Sequence, residues 1–151
     1  MAMIIAYHGG TVSQSDIVKD LFGAAIPVAL PTQAIPQYLD HTYTSSADDS
    51  TSTTSGTSLG GNLPRVVEAL ANDHPLLILI PSHAMVLTAV YYYADAAGKP
   101  VNVAGAVVRD PYPHRGPMPT FGIPVNPNPG ERALSPKEYY TTLAVFEVDV
   151  I

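Results

Sequence analysis

Cysteine is absent from the 151 residues. Disulfides, thiolate zinc sites, iron–sulfur clusters and a cysteine nucleophile are therefore excluded within them. Charge is scarce: 13% of the residues are Asp, Glu, Lys or Arg, against a usual share of about 25%. The formal net charge is −6, which argues against nucleic acid as a partner and against a polybasic membrane anchor. No run of about eighteen apolar residues occurs, so no transmembrane helix and no membrane insertion are expected. The N-terminus lacks the basic n-region of a secretory signal, and no internal repeat is present. What remains is an apolar chain, 46% hydrophobic, long enough to bury one core. One domain over 1–151 is expected.

Residues 1–7 are apolar nearly all round, and His8-Gly9-Gly10 stops them. They read as the last turns of a buried helix. Ser13-Gln14-Ser15-Asp16 is a capping box for a short helix ending at Gly23. A weaker helix is expected over Thr32–Asp40, interrupted by Pro36. Twelve of the residues from Thr42 to Ser58 are Ser or Thr, so 42–61 is expected as a flexible polar loop. Asn62 is placed as the cap of a helix over Leu63–Asn72 with Val66, Val67 and Leu70 inward. Pro75–Ile80 is a continuous apolar run, fit for a strand buried on both faces. His83–Tyr93 and Val101–Arg109 follow as strands, joined by the turn chemistry of Asp95–Gly98. Residues 111–136 hold 8 of the 15 prolines, and 111–134 is expected as an extended loop. Ser135-Pro136-Lys137-Glu138 starts another helix, and Leu143–Val150 closes the chain as a strand. Helices first and strands later read as an α+β fold, an antiparallel sheet packed against helices.

A tight turn at Asp95–Gly98 places Tyr92 opposite Val101 and His83 opposite Asp110. Opposed residues in an antiparallel pair have Cβ atoms roughly 4.5–5.5 Å apart, so an imidazole and a carboxylate meet at the open end of the hairpin. A carboxylate on one ring nitrogen fixes the tautomer and frees the other nitrogen for acid–base work. This is two-thirds of a nucleophilic triad. A structural His–Asp hydrogen bond at a sheet end fits the same spacing.

Ser82-His83-Ala84-Met85-Val86-Leu87-Thr88-Ala89-Val90, followed by Val107-Val108-Arg109-Asp110-Pro111-Tyr112-Pro113, resembles the C-terminal half of bacterial papain-like cysteine peptidases of the C39-like and AvrRpt2 type. In order, Tyr7-His8-Gly9-Gly10 with Val12-Ser13-Gln14, the helix at Leu63–Asn72 with His74-Pro75-Leu76, and Leu134–Tyr139 agree with the same family. The resemblance implies a papain-like fold, peptide or protein substrates and no cofactor. It makes His83 the catalytic base and Asp110 its orienting partner. The family's Cys-Trp-Ala-Ala type motif and the Gln before it are not matched; Gln14 lies after the first helix. The resemblance therefore implies a peptidase whose nucleophile is missing from this chain. It would be a form truncated in its N-terminal helix or, alternatively, a pseudoenzyme serving as a peptide-binding or inhibitory module. Ser82 points to the opposite strand face from His83 and is a poor substitute.

His8, His41, His74 and His114 show no zinc-ligand spacing, and no metal is expected. His74 is placed at a helix C-terminus, facing the dipole. Tyr91, Tyr92 and Tyr93 alternate faces at strand period and are assigned to sheet packing. Gly9-Gly10 has no Lys at the offset of a phosphate loop.

Overall fold

The structure, a computed structural model, describes residues 11, 13–24, 42–43, 49–55, 59, 61–81, 83–112, 120–125 and 130–150. The expected helices at 1–7 and 32–40 lie outside these residues, as does Ser82. The chain divides into two compact units, Met1–Ser55 with Val148–Ile151, and Gly56–Glu147.

In the first unit, α1 (Gln14–Phe22) begins at the capping box that its sequence announces. Ser13 accepts from the Asp16 N–H, and the Asp16 carboxylate reaches back to the Ser13 N–H. Gly23 ends the helix in the left-handed region at φ 71°. The Ser/Thr-rich stretch is not loop throughout. It holds β1 (Thr42–Tyr43) and β2 (Asp49–Ser55), which pair antiparallel. Threonine is β-branched and favours extended backbone, a preference that the low-complexity reading passed over.

The second unit is α+β. It contains α2 (Leu63–Ala71), β3 (Leu76–Ile80), β4 (His83–Ala94), β5 (Pro100–Arg109), β6 (Glu131–Ala133) and α3 (Pro136–Tyr140), and it includes β7 (Ala144–Val150) as far as Glu147. Five strands form an antiparallel sheet in the order β7-β3-β4-β5-β6. Opposed residues share a face, so Leu76, Ile78, Met85, Leu87, Val108 and Val145 lie together. They form one core cluster with Leu63, Val66 and Ala69 of α2. Each such buried side chain contributes roughly 1.5–3 kcal/mol. Leu77, Leu79, Val86, Val107 and Phe146 on the other face are buried as well. β3 is thus apolar on both sides, as its unbroken run requires.

Several local expectations are corrected. Asn62 occupies the N-cap position of α2, but its side chain makes no capping bond. The helix ends at Ala71, with Asp73 at φ 59°, a left-handed conformation that Asp tolerates better than most residues. His74 lies beyond that end, and its ring meets Glu147 at 3.5 Å. Tyr91, Tyr92 and Tyr93 are all exposed, and the Tyr91 hydroxyl donates to the Pro124 carbonyl at 3.3 Å. The proline-rich segment carries β6, which pairs with β5 through Val108↔Arg132; residues 113–119 and 126–129 of that segment lie outside the described residues.

The hairpin register also differs. Asp95 accepts from the N–H groups of Ala97 and Lys99, and Gly98 sits at φ 80°. The connection therefore closes at Ala94↔Pro100. Three irregularities shift the pairing along the ladder, so Tyr92 faces Val103 and Val86 faces Arg109. Continued outward, this pairing places Tyr112 across from His83 and leaves Asp110 diagonal to it.

Candidate functional site

His83 is the first residue of β4, where it pairs with Ile80. Period two from Met85 and Leu87 puts it on the α2-facing side of the sheet. Asp110 follows the last residue of β5, and its N–H donates to the Gly130 carbonyl at 2.8 Å. A diagonal pair in an antiparallel sheet is about 7–8 Å apart, and the two side chains span that gap. His83 Nε2 and Asp110 Oδ1 are 2.7 Å apart. The structure thus joins both residues singled out by sequence, through a register other than the one expected.

The carboxylate is held at both oxygens. Oδ1 also accepts the Tyr112 N–H at 2.9 Å, and Oδ2 accepts Arg132 Nε at 2.8 Å. The Asp110 side chain is 1% exposed, that of Arg132 6% and that of His83 19%. An ionised carboxylate only accepts, so His83 Nε2 must be the donor. In the neutral ring Nδ1 then carries the lone pair. Nδ1 has no hydrogen-bond partner among the described residues. The Tyr112 ring meets the imidazole edge-on, with centroids 5.1 Å apart.

Arg132, on β6, continues the chain of contacts. Its Nη2 donates to Glu138 Oε1 at 2.7 Å and its Nη1 to Oε2 at 3.2 Å. Nη2 also lies 3.2 Å from Met85 Sδ. Glu138 is the N3 residue of α3: its Oε2 accepts the Ser135 N–H at 2.7 Å, while its own N–H donates to Ser135 Oγ. Burial alone would lower the Arg132 pKa, but its hydrogen bonds to Glu138 and Asp110 outweigh burial and hold it above the ordinary value. Burial alone would raise Glu138; the bonds from Arg132 and Ser135 prevail and hold its carboxyl below the ordinary value.

Sequence reasoning missed Arg132, placed Tyr112 only in the motif and loop that follow Asp110, and read Glu138 only as a helix cap. Arg132 lies in a segment whose prolines signalled loop. The available signal was charge scarcity: in so apolar a sequence, an arginine beside Ala133-Leu134 is a candidate for burial with a partner. Gly130 completes the arrangement at φ 79°, where an added Cβ would lie 2.8 Å from the Asp110 carbonyl oxygen.

Among the described residues no three His, Asp or Glu side chains converge as a metal site. No described helix is long and apolar enough to cross a membrane. Comparison with family models, with curated proteins and with solved structures finds no match to this chain.

Proposed function

We propose that His83 and Asp110 are the acid–base half of the machinery of a papain-like cysteine peptidase, an amide-bond hydrolase acting on peptide or protein substrates. The observation that carries this reading is the 2.7 Å His83–Asp110 contact, with Nδ1 left as the working nitrogen. Asp110 selects the tautomer and stabilises the imidazolium that forms when Nδ1 takes a proton. In the proposed reaction His83 draws the proton from a thiol. The thiolate adds to the amide carbonyl, giving a tetrahedral oxyanion. His83 returns the proton to the departing amine, and water then hydrolyses the thioester.

The sequence supplies no cysteine, so the thiolate is not among these 151 residues. That absence favours a second reading, a peptide-binding or inhibitory module on the same scaffold. Chemical rescue separates the two. A small thiol such as 2-mercaptoethanol is added with a peptidyl p-nitrophenyl ester, and nitrophenol release is compared for the wild type and His83→Ala. The peptidase reading expects thiol-dependent release that His83→Ala loses. Peptide binding by calorimetry, with the same release rate in both proteins, establishes the module and overturns the peptidase reading.

A further inference from the structure

Removing one partner of a buried ion pair is costly, yet an apolar replacement of the whole pair is often neutral or stabilising. Stability is therefore a weak reason to keep Arg132 inside. Its geometry supplies a stronger one. The His83 and Tyr112 bonds to the Asp110 carboxylate both fall on Oδ1. The Arg132 Nε bond at 2.8 Å to Oδ2 leaves Oδ1 aimed at the imidazole. Glu138 in turn grips the far edge of the guanidinium through both of its oxygens, and the α3 capping box holds Glu138. The chain of contacts runs from a helix N-terminus across β6 to the imidazole without a gap.

We infer that Arg132 is a positioning residue for His83: it locks the Asp110 carboxylate so that the ring is held as the Nε2–H tautomer with Nδ1 outward. This rests on the peptidase reading for its purpose, but not for its test. Arginine suits the task because its planar fork serves Asp110 and Glu138 together, whereas a lysine ammonium is a single point charge.

The test reads the His83 ring nitrogens by long-range 15N–1H spectroscopy in the wild type, Arg132→Met and Arg132→Lys. The wild type is expected as one Nε2–H tautomer when the ring is neutral. Arg132→Met is expected to lose that preference, and Arg132→Lys to give a mixture. Thiol-dependent ester cleavage is expected to fall about tenfold or more in Arg132→Met, in line with the roughly 10–100-fold cost of removing partners that orient metal-bound imidazoles. A folded variant that melts at lower temperature but keeps the wild-type tautomer overturns the inference and leaves Arg132 structural. Where Arg132→Met does not fold, the tautomer of Arg132→Lys decides alone. A tautomer that responds to Arg132 in a protein without thiol-dependent cleavage upholds the inference and sinks the peptidase reading; cleavage with an unresponsive tautomer does the reverse.

Discussion

Asp110 is the residue on which the site turns. It is nearly inaccessible, and it accepts from His83, Tyr112 and Arg132. Asp110→Ala removes one of the two carboxylate partners of the buried Arg132 guanidinium, which keeps Glu138, and the expected cost is about 1.5–3 kcal/mol, read by urea or thermal unfolding. His83→Ala removes one partner of a carboxylate that keeps two others, so its expected cost is only about 1 kcal/mol. The contrast separates the roles: Asp110 holds the end of the sheet together, whereas His83 at the rim is nearly dispensable for folding. Equal costs for the two substitutions contradict this division. Both residues were legible in the sequence through the hairpin spacing and the resemblance of the segments that carry them, although the register that spacing implied is not the observed one. Arg132 was not, because it lies in a proline-rich segment that reads as loop, where charge scarcity beside Ala133-Leu134 was the one mark of an inward arginine.

At the level of elements, β6 and α3 form a clamp on the end of β5. Gly130→Ala places a Cβ against the Asp110 carbonyl at a left-handed φ. The conformational strain alone is about 1–2 kcal/mol, and the close approach adds to it. The expected result is a lower melting temperature together with weaker His83-dependent ester cleavage, since Asp110 moves with its backbone. Glu138 gives the clamp a pH dependence. Its folded pKa is held below the ordinary glutamate value by the bonds from Arg132 and Ser135, which outweigh burial. Its contribution to stability is therefore full above that value and is lost as pH falls through the depressed folded value. Glu138→Gln is expected to flatten the acid limb of the stability curve between the wild type's two values; an unchanged acid limb counts against the clamp. The elements themselves were largely readable. α1, α2, β3, β4, β5, α3 and β7 all fall where caps, periodicity and apolar runs place them, within a residue or two. The register was not, because bulges within β4–β5 and the Asp95 turn shift the pairing without a distinct mark in composition. β1, β2 and β6 were hidden by composition that reads as loop.

Across the molecule, scarcity of charge makes the buried ionic chain stand out. The second unit buries an apolar sheet on both faces and concentrates its inward ionisable groups at the end where β4 starts and β5 stops. Leu87→Ala, within the core cluster and fully buried, is expected to cost about 2–5 kcal/mol in unfolding experiments while leaving the His83 tautomer of the folded protein intact. A lost tautomer in that folded variant contradicts a clamp fixed by local contacts. The α+β class followed from the order of helices and strands, and the His–Asp pair from spacing and resemblance. The catalytic reading goes further than either, because a base and its carboxylate define acid–base competence but not what they activate. The most direct test is therefore the rate of acyl transfer from a peptidyl p-nitrophenyl ester to 2-mercaptoethanol, in the wild type and in His83→Ala. A thiol-dependent rate present in the wild type and lost in His83→Ala is the predicted result. Identical thiol-dependent rates in the two proteins contradict the account.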